Sequence, residues 1–170
     1  MSDFPGLQSL EIAPEPLTGS VAAALISELN AELSAMYPEP GATHFALDPK
    51  EVAPGTGIFV VVRLRGRAVG CGALRTVRDP APVRELGPRV GELKRMYVAS
   101  GMRGHGIGRK LLERLEAEAR ALGLTRLVLE TGTRQLEALA LYRRAGFTEI
   151  PLYGEYAASS TTSVCMAKPL

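Results

Sequence analysis

Apolar positions along the chain fall into two periods, and their order predicts a β-α-β-β-β-α-β-α-β-β string. Residues 8–13 read as a first strand. Thr18 or Ser20 is placed to cap a helix whose inward face is Val21, Leu25, Leu29, Leu33 and Met36, with Pro38 and Pro40 ending it. Residues 41–57 read as a loop with one short helical turn near Asp48. Residues 58–64 and 68–77 are β-branched runs joined by Arg65-Gly66-Arg67, a hairpin signal. A proline-rich connection over 78–89 leads to a strand marked by Leu93, Met96, Tyr97 and Val98. The next apolar residues fall at 107, 111, 112, 115, 119 and 122, one face of an amphipathic helix that Gly123 closes. Residues 126–131 form a further strand. A second amphipathic helix over 134–145 is expected to turn Leu136, Leu139, Ala140 and Tyr142 inward before Gly146 stops it. Strands over 147–150 and 163–167 flank an irregular segment. The string describes one α+β domain over residues 1–170 with a mixed sheet.

Composition narrows the class. A chain of 170 residues with 46% hydrophobic and 22% charged residues can bury a core without staples. No apolar run approaches the length of a membrane span, and residues 1–16 have neither the basic lead nor the apolar centre of a secretory signal, so a cytoplasmic protein is expected. Cys71 and Cys165 have no metal or disulfide spacing and read as buried free thiols. His44 and His105 are too few and too distant for a zinc site, so no metal is expected.

Charge is uneven. Residues 92–110 carry Lys94, Arg95, Arg103, Arg109 and Lys110 against Glu92 alone, a net of +4 in a chain of net +2. Gly101, Gly104, Gly106 and Gly108 lie in the same stretch, between the strand and the helix. Glycines let the backbone approach a ligand, and a helix start presents amides to anions. The pattern points to one anionic ligand at one place, against a basic coat for nucleic acid.

Arg103, Gly106 and Gly108 form Arg-x-x-Gly-x-Gly between strand and helix, which resembles the acyl-CoA loop of the GNAT superfamily of N-acyltransferases. Downstream, Ala138, Leu141, Tyr142, Gly146 and Phe147 form AxxLYxxxGF, similar to a second motif of that superfamily. The resemblance implies a mixed, mostly antiparallel twisted sheet with helices on both faces. It also implies acetyl-CoA as co-substrate, a primary amine on a small molecule or protein as acceptor, and direct attack on the thioester. Arg103, Gly104, His105, Gly106, Ile107, Gly108 and Arg109 would hold the phosphates. Met96, Tyr97 and Val98 would line the pantetheine arm through the backbone, and Gln135 stands where many members carry asparagine. Tyr142 would protonate the departing thiolate, and Glu92 would be the general base, with Glu130 as runner-up. His44 and Phe45 would meet the acceptor. Read from its own residues, the segment 151–162, with Tyr153, Glu155 and Tyr156 around Gly154, is a loop that closes over an amine, a surface connection or a dimer contact. A monomer or homodimer is expected, with neither nucleic acid nor membrane as partner.

The rivals are weaker. A dinucleotide-binding fold needs a third glycine where Arg109 stands, and an ATPase loop needs Gly-Lys-Ser/Thr after the glycines. A non-catalytic acyl-CoA-binding module shares the loop but needs neither Tyr142 nor a base.

Overall fold

The hairpin foreseen at Arg65-Gly66 opens a seven-stranded sheet. Both turn residues have positive φ (51° and 78°), the two-residue turn geometry that matches strand twist. A computed structural model describes residues 7–40, 46–79 and 81–170. Its strands are β1 (Leu10–Pro14), β2 (Gly57–Leu64), β3 (Arg67–Thr76), β4 (Val90–Val98), β5 (Arg126–Gly132), β6 (Thr148–Ile150) and β7 (Ser163–Pro169). Their order in the sheet is β1-β2-β3-β4-β5-β7-β6. Every neighbouring pair is antiparallel except β4 with β5. The helices are α1 (Ser20–Met36), α2 (Ile107–Ala121) and α3 (Leu136–Arg144). Among the described residues, no helix is long and apolar enough to cross a membrane.

Side-chain alternation gives the sheet two buried faces. On one, Val60, Val62, Leu74, Leu93, Leu127 and Leu129 pack against Leu111, Leu112 and Leu115 of α2, Leu139 and Tyr142 of α3, and Phe147. On the other, Phe59, Val61, Cys71, Ala73 and Tyr97 lie under Ala22, Leu25 and Leu29 of α1. Next to them, Val90, Val128, Cys165 and Ala167 lie under Tyr153 and Tyr156 of the late segment. Both cysteines are free and buried, and burial pushes each thiol up to about 12.

Three local expectations change. The residue capping α1 is Gly19, with no side-chain cap, so Thr18 lies outside the helix and Ser20 is its first residue. Helix α3 starts at Leu136 instead of 134, and Leu136, at its first position, lies 73% exposed while Leu139 and Tyr142 are the buried residues. The connection over 78–89 contains a 3-10 turn, Ala81–Leu86, that buries Val83. The turn near Asp48 is present as a 3-10 segment, Pro49–Val52, with a reciprocal Asp48–Glu51 capping box.

The site is created by an irregularity in β4. Cys71 faces Tyr97 and Ala73 faces Lys94, so Arg95 and Met96 together oppose Gly72. This is a β-bulge, with Arg95 at a φ of 55°. A Cβ at Gly72 would come within 2.9 Å of a Leu115 methyl and 3.0 Å of the Met96 sulfur, so glycine opposite the bulge lets both side chains pack there without moving. On its other side, β4 pairs with β5 only from Val90 to Leu93 against Arg126 to Leu129. Beyond that point β5 continues along β7 to Gly132, while the bulge bends β4 away. The sheet splits there.

Candidate active site

The split is lined from β4 by Leu93, Lys94, Arg95 and Met96, and from β5 by Glu130, Thr131 and Gly132. Leu29, Leu33 and Tyr37 close it from α1, Gln135 and Tyr142 from α3, and Tyr156 and Thr162 from the late segment. The cleft is open on one side, with a volume of about 100 Å³. A cleft beyond the carboxyl ends of adjacent parallel strands is where open α/β sheets commonly bind ligands.

One wall is held by a contact between distant parts of the chain. The Tyr37 hydroxyl accepts the Arg134 backbone N–H at 2.8 Å, and the Arg134 guanidinium lies over the Tyr37 ring. Arg134 also bonds the Met36 carbonyl and pairs with Glu39. A Cβ at Gly132 would fall 1.9 Å from the Tyr37 hydroxyl, so this wall exists only with glycine at 132.

Glu130 and Tyr142 face this cleft together. Burial pushes the Glu130 carboxyl up to about 7, against a hydrogen bond from Ser163 and the charge of Lys94, and with the charges of Glu92 and Glu155 adding to it. Burial, then the charge of Glu130, raises the Tyr142 phenol above its ordinary value, so it stays protonated. Its ring packs edge-on against Phe147, with centroids 5.7 Å apart.

Glu92 lies elsewhere in the same face. It is 2% exposed and does not line the cleft. Arg75 Nε and Nη2 meet its Oε1 at 2.7 and 2.6 Å, and the Tyr153 hydroxyl donates to its Oε2 at 2.6 Å. Arg75 also pairs with Glu51 at 2.7 Å. Burial pulls the Arg75 guanidinium down, but the charges and hydrogen bond of Glu92 and Glu51 outweigh it and hold it above its ordinary value. The arrangement pins the late segment to β3 and β4, which places Tyr156 over the cleft.

The glycine loop leads away from β4. Gly104 and Gly106 have φ of 79° and 81°, and no atom lies within 4 Å of a Cβ built on either. Gly106 caps α2 without a side-chain partner, so the first-turn amides of Ile107, Gly108 and Arg109 have no intrahelical acceptor. Gly108 lets α3 approach, since a Cβ there would meet Leu141 at 3.3 Å. The result is an open row of backbone donors at the start of α2, the kind of helix terminus that receives anions.

The flanking cations have carboxylate partners of their own. Arg103 is tied to Glu32 of α1 at 2.8 Å and to the Val98 carbonyl at 2.8 Å, above the Tyr97 ring. Arg109 is exposed and pairs with Glu113 at 3.4 Å. Positive charge therefore reaches the loop from its rim. Tyr97 turns under α1, its hydroxyl donating to Glu28 at 3.1 Å, whereas Met96 lines the cleft. His105 is half-buried in the loop, and Gln135 caps α3 at the cleft. His44 and Phe45 lie outside the described residues.

Tyr37 and Gly132 are cleft residues the pattern reading did not name, and Lys94 entered it only as one of the cations near the glycines. Lys94 had a signal: Glu92 and Lys94 alternate around Leu93 in a buried strand, so both charges share one face.

Comparison with known proteins agrees with this architecture. The profile of the acetyltransferase (GNAT) family matches residues 22–147, well over half of the chain. The chain is 38% identical over 164 residues to an IAA acetyltransferase from Azospirillum brasilense, covering 96% of this chain and 100% of that protein. A crystal structure from Klebsiella pneumoniae subsp. pneumoniae, assigned as an acyl-CoA N-acyltransferase, is 34% identical with a TM-score of 0.75 and covers 95% of this chain and 97% of that one. A Salmonella typhimurium structure solved with its cofactor acetyl-CoA has a TM-score of 0.65 at 18% identity over 95% of this chain and 94% of its own, a likeness of fold. With the family profile, a full-length relative and the open, split sheet in agreement, the chain belongs to the GNAT family and is an acyl-CoA-dependent acetyltransferase.

Proposed function

We propose that the enzyme moves an acetyl group from acetyl-CoA to a primary amine that enters the β4–β5 cleft, with Glu130 as general base and Tyr142 as general acid. The observation that carries this reading is that Glu130 and Tyr142 converge on one cleft reached from the glycine loop along β4. Among the described residues the β4–β5 ladder ends at Leu93, so β4 beyond it borders the cleft, where its backbone would meet the amides of a pantetheine arm. The loop amides of residues 104–109 and the dipole of α2 would receive the diphosphate. Bound there, acetyl-CoA supplies an activated thioester carbonyl. The Salmonella typhimurium neighbour, solved with acetyl-CoA, supports that donor.

Glu130 then takes the proton that the amine sheds as its nitrogen bonds to the carbonyl carbon. Tyr142 gives its proton to the sulfur as the C–S bond breaks, and solvent returns the proton from Glu130 to Tyr142. An amine with the lysine value near 10.4 must lose about 4–5 kcal/mol to be neutral at pH 7, so a base poised at about 7 in the cleft has a task. Glu92 is given a different part. With both oxygens occupied by Arg75 and Tyr153, it positions the segment that carries Tyr156.

The decisive experiment is thiol release from acetyl-CoA over an amine library. Heat of acetyl-CoA binding without release on any amine would leave the non-catalytic module, and no heat would remove the donor as well. Tyr142→Phe should lower kcat about ten- to hundredfold while calorimetry still detects acetyl-CoA. An unchanged kcat would remove Tyr142 from the chemistry.

A further inference from the structure

Lys94 has no part in the chemistry above, yet its ammonium is buried at the cleft. The residue is 7% exposed and shares a face with Glu92. It stands one step past the last paired residues, Leu93 and Leu129, so its register position is opposite Glu130 where β4 and β5 part. Its Nζ donates to the Ala46 carbonyl at 3.2 Å and to Glu155 Oε1 at 3.1 Å, and lies 6.0 Å from the centre of the Tyr156 ring. An ammonium has three donors, and among the described residues two meet an acceptor.

The quality of its partner matters. Burying a cation is costly unless it is well paired. The buried end of Lys168 has such a partner in Glu116, at 2.7 Å with a side chain 10% exposed. Glu155, the partner of Lys94, is 43% exposed on the short 3-10 turn Gly154–Tyr156. Water already competes for that carboxylate, so a ligand carboxylate can replace it at little cost. An inward cation with an exchangeable partner, opposite a carboxylate that accepts an amine proton, complements a zwitterion.

We infer that Lys94 reads a carboxylate on the acceptor, which makes the preferred acceptor a small amino acid whose amine faces Glu130. This rests on the proposed acetyl transfer in the same cleft. The acceptor's carboxylate takes the third Nζ–H and displaces Glu155, and the register of Lys94 opposite Glu130 keeps the two charged groups of the acceptor close together.

Thiol release with matched acceptors tests it: amino acids, their carboxamides and the corresponding decarboxylated amines. A carboxamide lowers the pKa of the neighbouring amine, so intrinsic reactivity favours the amide over the acid. We expect the reverse order, with kcat/KM for the acids higher by about ten- to hundredfold, the worth of one charge-assisted hydrogen bond. Lys94→Met should bring that ratio close to one, and Lys94→Arg should keep part of it. Acetyl-CoA calorimetry on each variant reports whether the donor site is still folded, and the wild-type ratio alone tests the inference if neither variant folds. Carboxamides or plain amines used as well as the acids would overturn the carboxylate assignment and leave acetyl transfer standing. Donor binding with no acceptor acetylated would overturn both.

Discussion

Replacing Glu130 by glutamine should cost activity and add stability. A positioned base contributes on the order of 10²- to 10⁴-fold, so kcat should fall by about that factor. Because the carboxyl titrates at about 7, the wild-type rate should rise with pH through that value, and the variant should lose this acidic limb. Stability runs the other way. The folded carboxyl titrates above its unfolded value near 4.5, so the native state holds the proton more tightly. That contribution is complete below about pH 4.5 and is lost as pH rises toward 7. Above 7 the wild type must hold a buried carboxylate that glutamine does not carry. The variant should then be more stable at pH 8 by about 1–3 kcal/mol and show no advantage at pH 4. Thermal unfolding at the two pH values, with a pH–rate profile, checks both halves. A variant that kept its limb near pH 7 would take the base role from Glu130.

Glu92→Gln should do nearly the opposite. Its carboxylate is enclosed by Arg75 and the Tyr153 hydroxyl, and removing one charge of a buried pair leaves the other uncompensated. Such losses run to about 3–5 kcal/mol, and the lower end is expected because Glu51 still faces Arg75. Denaturant unfolding measures this. The rate should fall modestly as the Tyr153–Tyr156 segment loosens, and the pH limb should persist, moved somewhat lower because the Glu92 charge is one of those that raise Glu130. A profile whose limb disappeared with stability intact would return Glu92 to the role the family resemblance gave it.

The contrast between these carboxylates explains what could be read from the chain. Periodicity was sufficient for α2, because Ile107, Leu111, Leu112, Leu115 and Ala119 all reach the core. The glycine loop was legible for a similar reason, since open φ and orphan amides are local properties of Gly104 to Gly108. The cleft was not local. It depends on where β3 and β4 slip register at Gly72 and on β5 following β7, which are pairings between residues far apart in sequence. Glu92 and Glu130 look alike as strand glutamates. Only the sheet reveals that one is sealed by an arginine and a tyrosine while the other fronts an opening. Tyr37 was unreadable because its partner, Arg134, arrives 97 residues later. Leu136 misled because the pattern placed the helix start two residues early, whereas Leu136 is the first residue of α3 and is exposed.

The four-residue ladder between β4 and β5 has a mechanical consequence. Strands β1 to β4 form one blade and β5 to β7 another, hinged along that short seam and braced behind by α2 and α3. A pantetheine chain lying in the gap would act as a borrowed rung between the blades. Donor capture would then stiffen the enzyme before any acceptor arrived.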